Sequence, residues 1–383
     1  MDFKLTEEQE LLAKSLTELL QREVPESLIA ELDEKHEFPY KPWKALADNG
    51  FLGLGISEKY GGTPADVTTQ CMVCEILGKY AYPLGVIYGL GVITIRDIEQ
   101  FASEEQKARV LGGFVRGDPP VALGISEPQA GSDAAGLKTT AELVGDEWVI
   151  NGQKIYCTLS NIAKYILLMT RDPKSENAYK GMTMFLLPTD TKGVRISPLS
   201  KVGWWSVPTC EVFLDDVHLP KSAMVGTLNN GWMQLMANFE IERIALSASN
   251  LGAAEAALED AATYASQRVQ FGQPIGNFQM IQEKLVNMAI KVENMTNYVY
   301  KMAWMMDNKM SVRYDHAMAK LYVTQASFEV LDDGMQIMGG MGYMMAHRMQ
   351  RLWRDVRVMR IGGGTDEIMY NIAGPGIVKK FKK

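Results

Sequence analysis

PPVALGISEPQAGSDAAGLKTTAELVGDEWVINGQKIYCT, residues 119–158, is where the pattern of the chain changes. Upstream of it, apolar residues recur at helical spacing. Thr6 to Gln9 spells a T-x-x-Q capping box ahead of Leu11, Leu12, Leu16, Leu19 and Leu20, and Ser103 to Gln106 repeats the signal. Pro119 and Pro120 break that pattern. The segments VALGI, AELVGDEWVINGQKIYC, YILLMTR, MTMFLLP, VRISPL and CEVFLDDVHLP then follow, separated by Gly, Pro, Asp or Asn, which predicts an antiparallel sheet or barrel. Gly145-Asp146 is placed at a hairpin turn, because glycine accepts positive φ where the chain reverses. From about Gly231 the helical period returns in runs over 231–267, 277–309, 312–338 and from about Thr365, and connections this short predict an antiparallel four-helix bundle. The fold class is α+β: an N-terminal helical domain over 1–118, a middle β domain over 119–227 and a C-terminal helical bundle over 228–383.

Length agrees with this division, since 383 residues at roughly 150 per domain give two to three domains. An apolar fraction of 47% with 22% charged residues matches a folded globular chain. The formal charge of -7 is spread along the sequence and gives no basic footprint for nucleic acid, though placed Arg or Lys side chains can still hold a small anion. The first residues carry acids and lack the basic and apolar regions of a signal peptide, and no window approaches the roughly 20 apolar residues of a membrane span. The expectation is a cytoplasmic protein without a membrane segment. Four cysteines fit a reducing compartment, and four scattered histidines without ligand spacing indicate no protein-bound metal. Many of the 24 Met fall in the last block, where they read as adaptable core packing.

Several chemistries lack their residues. There is no G-x-S-x-G elbow, and no Gly-rich stretch matches G-x-G-x-x-G after a strand. Cys71-Met-Val-Cys74 has redox spacing but lies in a helical run, so it reads as two core cysteines. The loop Ser126-Glu127-Pro128-Gln129-Ala130-Gly131-Ser132-Asp133 follows a strand and offers hydroxyls and open backbone N–H groups. By itself it reads more readily as an ordinary loop than as a ligand cradle.

Its weight rises with GDEWVINGQKIYCT, YASQRVQFGQPIGNFQMIQEKL, QIMGGMGY, RLWRDVR and GGGTDEIM, which follow in that order. Together these resemble the acyl-CoA dehydrogenase flavoproteins over essentially the whole chain. The GGGTDEIM ending and the IER segment look most similar to the branch containing crotonobetainyl-CoA reductase.

The resemblance implies FAD between the sheet and the bundle, its pyrophosphate and adenine reaching a neighbouring subunit. It implies that Leu123, Ile125, Ser126, Gly131 and Ser132 lie along the flavin, Ser132 also along the substrate thioester. Tyr156 and Thr158 fall where the family has an aromatic ring against the isoalloxazine and a hydroxyl near its reactive nitrogen. Gln129 stands in place of the family's usual Gly. Arg268, Phe271, Gln279, Gln336, Gly339 and Gly340 match the partner-subunit contacts to FAD, although alone Arg268 reads as a surface ion pair and Gly339-Gly340 as a helix cap. Thr365 and Glu367 match the final flavin-contacting turn. Trp204-Trp205 reads either as pocket lining or as sheet packing.

The family's reaction takes the α-proton of an acyl thioester with a carboxylate and passes the β-hydrogen to flavin as hydride. Many members place that Glu immediately before the Gly-Thr of the last motif; here the position is Gly363, whose backbone N–H can still serve the thioester oxygen. A second family location, seen in isovaleryl-CoA dehydrogenase, is a bundle helix just before an Arg. Glu242-Arg243 stands there, among Ile241, Ile244, Ala245 and Leu246. Burial would raise the carboxyl's pKa, with Arg243 opposing the rise. The bland alternative is a helix-surface ion pair. The resemblance therefore implies an enzyme interconverting acyl-CoA and 2,3-enoyl-CoA, with Glu242 as base, Arg243 and Gly363 at the substrate, electrons exchanged with an electron-transferring flavoprotein, and a homotetrameric dimer of dimers. The rivals are an acyl-CoA oxidase using oxygen and a flavin-binding scaffold that lost its chemistry with Gly363.

Overall fold

The computed structural model describes residues 5–177 and 179–382. Its N-terminal part consists of α1 (Glu7–Glu23), α2 (Glu26–Glu34), α3 (Tyr40–Asp48), α4 (Val67–Tyr80), α5 (Tyr82–Phe101) and α6 (Glu104–Val115). Both capping boxes form: the Thr6 and Ser103 hydroxyls accept from the N–H groups of Gln9 and Gln106, whose side chains accept the caps' own N–H groups in return. These reciprocal bonds satisfy donors that a helix start leaves open. Cys71 and Cys74 are buried in α4; burial pushes both thiols up, Cys74 to about 12, as expected of core cysteines.

The middle part holds β1 (Ala122–Gly124), β2 (Thr140–Val144), β3 (Glu147–Thr158), β4 (Tyr165–Arg171), β5 (Met182–Pro188), β6 (Val194–Pro198), β7 (Thr209–Pro220) and β8 (Met224–Val225). The sheet order is β6-β7-β3-β2-β4-β5-β8, with β1 beside β4. Gly145 takes φ +62° between β2 and β3, as the turn residues demanded. The expected antiparallel sheet needs one correction. β1 pairs parallel with β4, Leu123 opposite Leu167, and β2 meets β4 in parallel at Thr140 and Arg171. A parallel pair needs a long connection, which the 125–139 loop and the β2–β3 hairpin supply. Trp148, Ile150, Ile166, Leu168, Phe185 and Val212 fill the core of the sheet.

The C-terminal part holds α7 (Gly231–Gln267), a hairpin of β9 (Val269–Gln270) and β10 (Gln273–Pro274), α8 (Gln279–Asp307), α9 (Asp315–Met338), α10 (Gly340–Tyr343), α11 (Arg348–Val356) and α12 (Asp366–Phe381). The central helix α7 is covered by α4 and α5 on one side and α8 and α9 on the other, so it is apolar nearly all round. Small residues make the approach close: a Cβ on Gly252 would stand 2.0 Å from the Glu75 carbonyl oxygen.

The β9–β10 hairpin, α10 and α11 are additions to the helices read from periodicity. α11 carries a short apolar stripe of Met349, Leu352 and Val356 inside a charged run, and charges are buried with it: Arg351 and Arg354 pair with Glu26 and Asp33 of α2. Trp204 and Trp205 belong to this junction. The Trp204 N–H donates to Asp355 Oδ1 at 2.6 Å, and Trp205 is sandwiched between the His36 ring at 4.9 Å and the Arg354 guanidinium at 3.6 Å. The methionine reading is also corrected in part. Met288, Met295 and Met302 are core, but Met341, Met344 and Met345 are exposed, because α10 and the turn after it stand off the bundle.

Candidate active site

The 126–132 loop is fixed from beneath by a buried ion pair that sequence reading passed over. Glu127 and Lys154 are almost fully enclosed, with Nζ to Oε1 at 2.8 Å. Glu127 also accepts from the Thr139 N–H and hydroxyl, the Lys138 N–H and the Gln129 amide, and Lys154 donates to the Ile125 carbonyl. Burial pushes the Glu127 carboxyl up, but Lys154 and these donors outweigh it and leave it below its ordinary value. The signal was a lysine in an inward strand phase, alternating with the buried Trp148 and Ile150. Gln129, the departure from the family's glycine, is absorbed as one more donor to Glu127.

Glu127 and Ala130 point inward, and the 131–132 end of the loop faces outward. Ser126 and Ile125 are half-buried, Gly131 and Ser132 are exposed, and a Cβ on Gly131 would meet nothing within 4 Å. Leu123 lies half-buried on β1. The Ser126 carbonyl accepts from the Ile155 N–H at 2.9 Å, which binds the loop to β3. There the β3–β7 register slips between Lys154 and Cys157, and Tyr156 takes φ +61°. A left-handed non-glycine residue costs on the order of 1–2 kcal/mol. What the bulge achieves is direction: Lys154 points into the core while the Tyr156 ring stands 66% exposed. Thr158 follows, half-buried at the strand end. An exposed ring beside open hydroxyls and backbone fits a planar, polar-edged cofactor.

The second group lies between α7, α9 and the 362–365 turn. Glu242 is 4% exposed, and its Oε2 is buried without a hydrogen-bond partner among the described residues. Burial pushes its carboxyl up to about 7, against the pull of Arg243 and Lys320. This is not a helix-surface ion pair. Arg243 turns instead to the turn and to α9: Nε donates to the Gly363 carbonyl at 2.9 Å and Nη1 to His316 Nε2 at 2.8 Å. His316 Nδ1 donates to the Val312 carbonyl at 2.8 Å, which fixes the tautomer, and burial pushes the imidazole down to about 4. Gly363 takes φ +65° and Gly364 φ +101°, a pair of conformations only glycine adopts freely. Thr365 caps α12 by accepting from the Ile368 N–H, and Glu367 is exposed in the first turn.

A neighbouring carboxyl was missed. Asp97 on α5 is wholly buried and accepts from the Asn238 amide at 2.6 Å, one turn before Glu242; burial is the main cause that takes it to about 8, and Glu242 adds to the rise. An acid inside the apolar run of α5 was the available signal.

The third group stands apart. Glu242 and the end of α7 at Gln267 are separated by 25 residues, about 37 Å along the helix axis. Arg268 follows that end, exposed and without an ion-pair partner among the described residues. Phe271 and Gly272 both take positive φ at the hairpin tip, which leaves the Phe271 ring 94% exposed. Gln279, Gln336, Gly339 and Gly340 are exposed too, and Gly339 does cap α9 at φ +57°. Within one chain this group therefore stands apart from Glu242 and the 362–365 turn.

Three family models match the chain: acyl-CoA dehydrogenase, N-terminal domain, over residues 6–118, middle domain over 122–217 and C-terminal domain over 229–377. YdiO of Escherichia coli strain K12, a probable acyl-CoA dehydrogenase, is 44% identical over 383 residues, 100% of both chains. Butyryl-CoA dehydrogenase from Megasphaera elsdenii superposes with a TM-score of 0.93 at 32% identity, covering 99% of this chain and 100% of that one. A chain from the structure describing the electron transferring flavoprotein of Acidaminococcus fermentans gives 0.94 at 30% identity, with coverage of 99% and 100%.

Proposed function

The chain belongs to the acyl-CoA dehydrogenase family of flavin-dependent oxidoreductases, and on that premise we propose that it interconverts an acyl-CoA and its 2,3-enoyl-CoA on bound FAD, with Glu242 as the base. The observation that carries this is the enclosed Glu242 carboxyl with an unpartnered oxygen, next to a glycine turn held open by Arg243. A base works best when its pKa lies near the working pH, and burial brings Glu242 there.

Each group has a task in this reading. Ser126, Ser132, Gly131, Tyr156 and Thr158 would hold the flavin, together with Leu123, Ile125, Thr365 and Glu367. Arg268, Phe271, Gln279, Gln336, Gly339 and Gly340 reach the pyrophosphate and adenine from a neighbouring copy, a guanidinium suiting a pyrophosphate because it donates in bidentate fashion. When bound, FAD supplies hydride transfer at the substrate's β-carbon. Glu242 takes or returns the α-proton. The Gly363 N–H, which has no partner among the described residues, donates to the thioester oxygen as negative charge grows there. Gly363 leaves the usual carboxylate position vacant, so Glu242 is the acid-base group in reach.

The electron partner is an electron-transferring flavoprotein, supported by likeness to a chain from that protein's structure in Acidaminococcus fermentans. Exposed Phe271, Met280, Met341 and Tyr343 support assembly into a homotetramer, a dimer of dimers. Likeness to the crotonobetainyl-CoA reductase branch adds enoyl-CoA reduction as a working direction, in the cytoplasm.

The test is a screen of acyl- and enoyl-CoAs, butyryl-CoA among them, against the purified yellow protein. Flavin bleaching by an acyl-CoA or reoxidation of reduced enzyme by an enoyl-CoA is expected. A colourless protein that takes up no FAD, or one whose flavin responds to no thioester, contradicts the reading; rapid oxygen consumption would make it an oxidase.

A further inference from the structure

The glycine turn is held at two successive carbonyls by two cations from different helices, the half-buried Arg243 and the buried Lys320. Arg243 of α7 donates to the Gly363 carbonyl at 2.9 Å, and Lys320 of α9 donates to the Gly364 carbonyl at 2.6 Å. Lys320 is 1% exposed, in a helix phase it shares with buried Ala317, Thr324 and Ser327. An enclosed lysine is costly unless its charge has a use. No carboxylate lies within ion-pairing distance of its ammonium among the described residues, and its one hydrogen bond is to a backbone carbonyl.

We propose that Lys320 is a positioning residue of the reaction, clamping the Gly363–Gly364 turn together with Arg243 and supplying the second positive charge that Glu242 faces. The clamp acts through peptide geometry. In a trans peptide the C=O and N–H point in opposite directions, so fixing two carbonyls fixes both planes. On the other side, the Gly362 N–H is held by the Val358 carbonyl at 2.8 Å. The Gly363 N–H belongs to the one peptide between these anchored groups, so holding its neighbours on both sides restricts the directions it can take, although nothing bonds it. Without Lys320, glycines at these two positions would let the turn rotate.

The electrostatic part concerns every charged group around Glu242. Arg243 and Glu240 share its helix, Asp97 faces it from α5, Lys320 and His316 from α9, and Arg360 and Asp366 stand beyond the turn. Asp366 is engaged by Arg360 at 2.7 Å, and His316 is neutral. Arg243 and Lys320 are thus the cations that favour the charged form of Glu242, while burial and Asp97 oppose it.

This inference rests on Glu242 being the base, and the experiment separates the two. Holoenzymes of wild type, Glu242→Gln, Lys320→Met and Lys320→Arg are compared by infrared titration of the Glu242 carboxyl, identified by its loss in Glu242→Gln, and by the pH dependence of flavin reduction with butyryl-CoA. Lys320→Met should move the carboxyl midpoint upward by roughly one unit or more, tenfold in proton concentration, because a nearby cation is gone. It should also slow flavin reduction about tenfold near pH 7, where wild-type Lys320, lowered by burial to about 8, still carries its charge and the variant's turn is loose. Lys320→Arg should restore the midpoint. An unmoved midpoint in folded, flavin-loaded Lys320→Met, or an equal shift in Met and Arg variants, overturns the role of Lys320 and leaves the base intact. Unaltered flavin reduction in Glu242→Gln overturns the base, whatever Lys320 does to the titration.

Discussion

The Arg243 guanidinium spans 120 positions of sequence to hold the Gly363 carbonyl at 2.9 Å, and so ties the helix carrying Glu242 to the turn that would receive the thioester oxygen. The two groups of the proposed chemistry therefore move together. Arg243→Lys keeps a charge but loses the fork that reaches both Gly363 and His316. Turnover should fall at least tenfold with FAD content unchanged, as measured by steady-state kinetics and absorbance; an unimpaired Lys variant would mean that charge alone suffices.

The distance of about 37 Å between Glu242 and the end of α7 makes a prediction about assembly. If a neighbouring copy supplies Arg268, Glu242→Gln and Arg268→Ala subunits should complement when co-expressed. In a random dimer mixture half the dimers are hybrids with one intact site, so about a quarter of wild-type activity should return. The measurement uses limiting FAD, where Arg268→Ala alone should be largely empty. No recovery would place both residues at one subunit's site or neither.

The Glu127–Lys154 pair should behave as a buried pair does. Lys154→Met strands a carboxylate and should cost about 3–5 kcal/mol in denaturant unfolding, with loss of flavin. The double variant Glu127→Leu/Lys154→Met should recover part of that loss. Equal stability of wild type and Lys154→Met would show that the pair does not organise the loop.

Raised carboxyls set the pH dependence of stability. Glu242 at about 7 and Asp97 at about 8 bind their protons more tightly folded than unfolded, where the values are near 4.5 and 3.8. Their contribution is fully present below the unfolded values and is lost as pH rises through the folded ones. The melting temperature should therefore decline between about pH 5 and 8, and Glu242→Gln should flatten the part below about 7. Parallel curves for the two proteins would contradict the buried, uncompensated Glu242.

Much of this was legible in the sequence, and the reasons differ by element. The capping boxes at Thr6 and Ser103, the Gly145 turn and the long bundle helices follow from local chemistry, so periodicity and caps were enough to find them. α11 was not, because Arg351 and Arg354 are buried by partners more than 320 residues away and Asp355 by Trp204, 151 residues away, and a charged helix face looks solvated until those partners are known. The parallel β1–β4 pairing was hidden for the same reason. Glu242 was found through the family resemblance, since its local chemistry alone reads as half of a helix-surface ion pair. Lys320 was not found, although a lysine in a buried helical phase is itself a signal.

The most direct measurement is anaerobic stopped-flow reduction of the flavin in Glu242→Gln by the best acyl-CoA of the screen. The amide is nearly isosteric, so fold, FAD content and thioester binding should persist, while the rate falls by roughly 10² to 10⁴-fold, the contribution of a positioned base. Reduction at near wild-type rate would remove Glu242 as the base and contradict the account.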